Sequence, residues 1–185
     1  MKRITTLFFA TLLLATAAKA QQLTSQEQQI IGNWAVAYDQ VDESRGLVFN
    51  IEGVYTFNQD RTLVVQSATE MLFSINKDGV DNTIVINMGV EAHKLWKIED
   101  GNLVLTADPD QDTKVVINDI RAMNNDPISQ LMVSSMYAST DVLINKVKTT
   151  TDEPKSNKIN AITADELSIV NPDGSILTCK RIPAE

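Results

Sequence analysis

The stretch that decides the fold is residues 47–72, LVFNIEGVYTFNQDRTLVVQSATEML. Two runs rich in β-branched and aromatic residues, 47–57 and 62–72, flank a polar turn at residues 58–61. Residues of these types favour a pleated, half-buried strand, and a polar interruption between two such runs indicates a hairpin. The stretch therefore predicts two long antiparallel strands joined by a short turn.

The same pattern recurs along most of the chain. Upstream, Trp34, Val36 and Tyr38 alternate with smaller or polar residues, as in a half-buried strand. Downstream, turn residues at 76–79, 99–102 and 172–174 separate further short apolar runs. We expect strands at residues 83–88, 94–98, 103–106, 112–118, 158–162, 166–170 and 175–182. Strands at this spacing predict a mainly β antiparallel sandwich or barrel.

Two segments have a helical pattern instead. Ser25 with Gln28 resembles a capping box and predicts a short helix over residues 25–31. Asp126 followed by Pro127 is a favourable helix start. Apolar residues then recur on one helical face and predict one amphipathic helix over residues 127–147, with a split at 140–141 as the alternative. We expect a polar loop over residues 148–158.

The N-terminal residues 1–20 have the pattern of a secretory signal peptide. Lys2 and Arg3 precede an apolar run, and Ala18 and Ala20 occupy the two positions that a signal peptidase recognises. The apolar run is too short for a membrane anchor, which needs about 20 apolar residues. We therefore expect one exported, soluble domain over residues 21–185, located in the periplasm or outside the cell.

The overall charge argues against two classes of partner. The chain has 24 acidic and 16 basic residues, a formal net charge of −8. Nucleic acids and anionic membrane surfaces attract clustered Lys and Arg, so neither is an expected partner. Cys179 is the one cysteine, so an internal disulfide is impossible and burial must stabilise the fold.

Both ends of the expected barrel resemble a known family. Gly32-Asn33-Trp34 after a short helix is similar to the Gly-x-Trp start of lipocalins, and the segment 177–182 with Arg181 resembles their closing strand. The layout is similar to that of small lipocalin-like proteins of bacterial periplasms and surfaces. The resemblance implies a barrel of about 8–10 strands whose closed end has Trp34 stacked under Arg181, a contact of about 0.5–2 kcal/mol.

Two features differ from the family pattern. Arg61 stands in the turn after Phe57 where such proteins usually have glycine. The helix predicted before the last strands is also an insertion relative to the usual lipocalin order. The fold that we expect is thus an antiparallel lipocalin-like barrel with one inserted amphipathic helix.

No catalytic or metal site is recognisable in the sequence. His93 is the one histidine, no cysteine lies close to it in sequence, and no Gly-x-Ser-x-Gly or phosphate-binding glycine loop is present. Residues 108–112 begin like a calcium loop, but Thr113 and Asp119 stand where that loop needs glycine and glutamate. We therefore expect no cofactor and no enzymatic activity.

The remaining functional signal is a set of apolar residues that can line a pocket. Methionine adapts to varied ligands, and several methionines occur on the predicted helix and strands. The candidate ligand-lining residues are Met71, Phe73, Met88, Leu131, Met132, Met136 and Tyr137. The leading hypothesis is an exported binding protein for a small hydrophobic ligand. The alternative is a non-enzymatic module with a filled barrel core that binds another exported protein.

Overall fold

The computed structural model describes residues 23–42, 46–77, 80–172 and 174–183. The predicted signal peptide and part of the turn predicted at residues 76–79 lie outside these ranges. The described chain forms three helices, α1 (Ser25–Ile30), α2 (Pro127–Ala138) and α3 (Thr140–Asp152). It also forms nine strands: β1 (Gly32–Asp42), β2 (Leu47–Phe57), β3 (Thr62–Lys77), β4 (Val80–Glu99), β5 (Asn102–Ala107), β6 (Lys114–Ala122), β7 (Lys155–Ile162), β8 (Glu166–Val170) and β9 (Ile176–Arg181).

Eight of the strands in the described ranges close into an antiparallel barrel. Their order is β3-β2-β1-β9-β8-β7-β5-β4, and β4 pairs with β3 to complete the ring. The ninth strand, β6, pairs with the first half of β4. It lies on the same edge of β4 as β5, which pairs with the second half. The predicted antiparallel, mainly β barrel is therefore confirmed.

The strand boundaries differ from the prediction where polar residues hide the alternation. The strands predicted at 83–88 and 94–98 form one strand, β4, because Glu91 and His93 face outward while Ala92 remains buried. The strand predicted at 112–118 begins at Lys114 and continues to Ala122.

The helix α1 is held by side chains at both ends. Its N-cap is Thr24, whose hydroxyl oxygen accepts from the Glu27 amide while Glu27 Oε2 accepts from the Thr24 amide. The capping box predicted for Ser25 and Gln28 is therefore wrong by one residue. At the other end, Trp34 Nε1 donates to the Ile30 carbonyl oxygen at 2.7 Å, which joins α1 to β1.

One end of the barrel is filled by apolar side chains. The lower cluster comprises the buried residues Ile30, Trp34, Val36, Phe57, Leu63, Trp96, Leu103, Leu105, Leu167, Ile169, Leu177 and Cys179. Arg181 Cζ lies 4.0 Å from the centroid of the Trp34 ring, and Arg181 Nη1 donates to the Ile31 carbonyl at 2.8 Å. Gly32 has a φ of 122°, and a Cβ there would lie 2.8 Å from Arg181 Nη1. Gly32, Trp34 and Arg181 thus meet at this closed end.

The other end of the barrel is covered by α2 and α3. The upper cluster comprises the buried residues Met71, Ile84, Ile86, Met88 and Ile120, against which Met132, Val133, Met136, Leu143 and Val147 of the helices pack. No helix in the described ranges is long and apolar enough to span a membrane.

The helical insertion differs in detail from the prediction. It breaks at Ser139, whose amide donates to the Met136 carbonyl, one residue before the predicted split. The loop predicted over 148–158 is wrong, because α3 continues to Asp152 and β7 begins at Lys155. The polar residues of this segment are compatible with helix and strand because most of them are exposed.

Candidate functional site

A loosely packed zone separates the two clusters inside the barrel. We call it the middle band, and its members are Ile51, Gly53, Ser67, Thr69 and Val90. Gly53 is in register with the buried Val36, and Thr69 is in register with the buried Met88. Because residues in register share a face of the sheet, the middle band faces inward.

The middle band is not packed like the clusters on either side of it. Leu63 and Met71, on the same face of β3 on either side of the middle band, are buried. Between them, Ser67 and Thr69 are only half-buried although they face inward. A close-packed interior would bury such positions. The middle band therefore leaves part of the barrel interior accessible.

Small side chains explain this accessible zone. Gly53 pairs with Ser67 and Ser67 with Val90, so one row across the wall projects little volume into the barrel. A Cβ at Gly53 would lie 2.4 Å from the Gln66 carbonyl oxygen, so a larger residue does not fit there. The close approach of β3 to β2 thus requires glycine, and β2 projects no side chain into the barrel at this point.

Hydroxyl groups add polarity to the interior. Tyr38 is in register with Ile51, and Tyr55 follows Gly53 on the same face of β2. Burial raises the pKa of Tyr55, with smaller contributions from Tyr38 and Cys179, and burial also raises the pKa of Tyr38. Both phenols therefore keep their protons at neutral pH and can donate hydrogen bonds.

The predicted ligand-lining residues separate into two groups. Met71, Met88, Met132 and Met136 come together in the upper cluster, next to the middle band. Phe73 pairs with Ile84 at the far end of that cluster and is half-buried.

The other two predicted residues lie on the outer side of α2. Leu131 is 71% exposed and Tyr137 is 54% exposed. In this structure neither belongs to the upper cluster or to the middle band.

The wall has an open seam beside the middle band. β1 pairs with β9 only from Trp34 to Val36, and among the described residues the stretch from Ala37 to Asp42 has no partner strand on that side. A shallow depression on the outer face beside the seam is lined by Ala35, Val36, Ala37, Glu52, Gly53, Val54, Thr178 and Lys180. The seam leaves this edge of β1 without a strand partner beside the middle band.

The ionisable residues considered for chemistry lie elsewhere. His93 Nε2 is 3.5 Å from Glu91 Oε1 in a surface ion cluster, where hydrogen bonds from Lys114 and Gln66 lower the pKa of Glu91 to about 2. Burial raises the pKa of Cys179 to about 12, so its thiol is protonated and unreactive.

The side chains that can bind metals do not form a cluster in the described ranges. No three His, Cys, Asp or Glu side chains converge there as metal ligands. In the segment that resembles a calcium loop, Asp108 Oδ1 accepts from the Asp110 amide at 3.0 Å. That hydrogen bond belongs to a turn, closed by the Gln111 amide on the Asp108 carbonyl oxygen, which joins β5 to β6 along one edge of β4. The polar tip of a hairpin that the sequence suggested here is therefore wrong.

The sequence contained a signal for the middle band that apolar patterning overlooks. Gly53 and Ser67 are small residues at inward positions of two long strands, but their register became known only with the structure.

Comparison with protein-family models and with curated protein sequences finds no match to this chain.

Proposed function

We propose that this protein is an exported, non-enzymatic carrier that holds one small hydrophobic molecule inside its barrel. The observation that supports this function best is the middle band, a half-buried zone of small inward side chains between two packed clusters. An eight-stranded barrel is wide enough for one small ligand. Binding would consist of apolar burial against Ile51, Val90 and Met88, with no bond made or broken.

Export is part of the proposal and rests on the N-terminal sequence. The basic start, apolar run and small residues at Ala18 and Ala20 predict a mature chain that begins at Gln21. The periplasm or the extracellular space is the expected location.

Native mass spectrometry of the protein purified from its own host tests both parts of the proposal. We expect a denatured mass that begins at Gln21 and a native mass that exceeds it by one small molecule. A native mass equal to the denatured mass, unchanged after incubation with fatty acids, alcohols and other apolar compounds, would rule out the carrier function. A denatured mass that includes residues 1–20 would rule out processing as predicted.

A matched pair of variants tests the position of the ligand. Ser67→Leu adds an apolar side chain to the middle band, and we expect it to lower ligand affinity by about tenfold or more while the protein stays folded. Ala68→Leu places the same side chain on the exposed outer face of β3 and should leave affinity unchanged. Equal affinity in both variants would place the ligand elsewhere.

The second candidate function is binding of another exported protein. The observation in its favour is α2, which contains no charged residue and exposes Ile128, Leu131 and Tyr137. Exposed apolar patches often mark interaction sites. A bare native mass, together with loss of partner binding in Leu131→Ser and Tyr137→Ser, would favour this function over the carrier.

A further inference from the structure

We infer that the molecule held in the barrel is neutral and carries a hydrogen-bonding oxygen, as an alcohol or ester does, and is not a fatty-acid anion. This inference rests on the proposed function, because it specifies the ligand of the same interior. Four inward hydroxyls support it, those of Tyr38, Tyr55, Ser67 and Thr69.

These hydroxyls lie in and beside the row of Gly53 and Ser67. Tyr38, Ile51 and Thr69 occupy one row of register, and Tyr55 lies in the row on the other side of Gly53 and Ser67. A small molecule that occupies the row of Gly53 and Ser67 would therefore have hydroxyls on both sides.

The four hydroxyls are available for a ligand. Within the described ranges, none of them makes a hydrogen bond to protein. The four residues are half-buried and not fully buried, so each retains accessible surface. Free hydroxyls in an apolar interior favour a ligand that offers them an oxygen acceptor.

A ligand carboxylate has no cationic partner among the residues of the middle band. The buried cation of the described strands is Lys94, whose ammonium already donates to the Thr151 carbonyl oxygen. Lys94 pairs with Leu63 of the lower cluster and follows Val90 by four residues, about 13 Å along β4. Burial of an unpaired carboxylate is strongly unfavourable, so the interior selects against anions.

Binding of three matched compounds to the mature protein tests the inference. Dodecanol, dodecanoate and dodecane share one chain length, and tryptophan fluorescence or calorimetry at about pH 8 compares them with the carboxylate ionised. We expect dodecanol to bind about tenfold more tightly than dodecanoate. Tyr38→Phe and Tyr55→Phe should each weaken dodecanol binding by about fivefold to tenfold and leave dodecane binding unchanged.

Controls separate this inference from the proposed function. Tyr137→Phe removes an exposed hydroxyl on α2 and should change no affinity. If dodecanoate binds as tightly as dodecanol, or if the two interior variants bind dodecanol normally, the inference on ligand class is wrong while the carrier function stands. If none of the three compounds binds the folded protein, the carrier function fails with it.

Discussion

At the scale of single residues, Arg61 has an unfavourable backbone conformation, and its side chain makes a contact that compensates for it. Its φ of 67° lies in the left-handed region, which is unfavourable by about 1–2 kcal/mol for residues other than glycine. Arg61 Nη2 lies 3.0 Å from Glu27 Oε2, and Glu27 is almost fully buried. Through this contact, Arg61 joins the β2–β3 turn to α1. A charge-assisted hydrogen bond to a buried carboxylate offsets the backbone strain.

We therefore predict that Arg61→Gly destabilises the protein although glycine suits this backbone. The substitution leaves Glu27 buried without its cation, and we expect the free energy of unfolding to fall by about 2 kcal/mol. Asp100 also has a positive φ, 50°, but makes no ion pair with any residue that the structure describes, so Asp100→Gly should leave stability unchanged or slightly higher. Urea unfolding of both variants measures this, and equal stability of Arg61→Gly and the native protein would contradict it.

The same ion pair has a defined pH dependence. Burial raises the pKa of Glu27, but hydrogen bonds from the Thr24 backbone and Arg61 outweigh it and hold that pKa below its ordinary value of 4.5. The stability contributed by ionised Glu27 is therefore present above that ordinary pKa and is lost as pH falls through the folded-state pKa. In the same unfolding experiment, the difference between Arg61→Gly and the native protein should shrink progressively as the pH falls below the ordinary pKa of 4.5.

At the scale of elements, the sequence predicted where strands lie better than it predicted how long they are and which residues of neighbouring strands pair. The strands β2 and β8 match the predicted ranges because their boundaries carry turn residues. The length of β4 was missed because Gly89 and the polar Glu91 and His93 interrupt its apolar pattern. The register of Gly53 with Ser67 depends on how two strands pair, so the composition of either strand alone does not reveal the middle band.

The helix α3 shows a second reason for a missed boundary. It has no buried residue, and its N-cap Ser139 makes no side-chain capping bond. Its C-terminal end is tied to the barrel, because Thr113 Oγ1 donates to Asp152 Oδ1 at 2.6 Å and Lys94 donates to the Thr151 carbonyl. These long-range contacts, rather than local sequence, allow the helix to continue to Asp152.

We predict that Thr113→Val loosens α3 selectively. Valine keeps the shape of threonine but cannot donate to Asp152, and we expect a loss of about 1 kcal/mol with faster hydrogen exchange of the α3 amides. Thr106→Val, at an exposed position of β5, is the matched control and should leave the exchange of α3 unchanged. Identical exchange in the two variants would show that the Thr113 hydrogen bond does not hold α3.

At the scale of the whole molecule, the barrel has a packed cluster at each end and the half-buried residues of the middle band between them. The lower cluster draws on strands from both ends of the chain, since β1, β8 and β9 meet around Trp34 and Cys179. The upper cluster depends on the helices that join β6 to β7. The lower cluster thus holds the ring closed, and opening it requires β1 to separate from β9. In contrast, the helices can loosen while the ring remains intact.

Cys179 provides a direct measure of that opening. Its thiol is buried in the lower cluster, and burial raises its pKa to about 12, so a thiol reagent should react with it only when the ring opens. We expect the labelling rate at neutral pH to follow global unfolding and to rise more in Arg61→Gly than in Thr113→Val. Ile176→Cys in a Cys179→Ala background is the control, because that position of β9 is 61% exposed and should be labelled at once. Rapid labelling of Cys179 in the folded protein would mean that β1 and β9 separate without unfolding, so that the seam beside the middle band opens as far as the closed end.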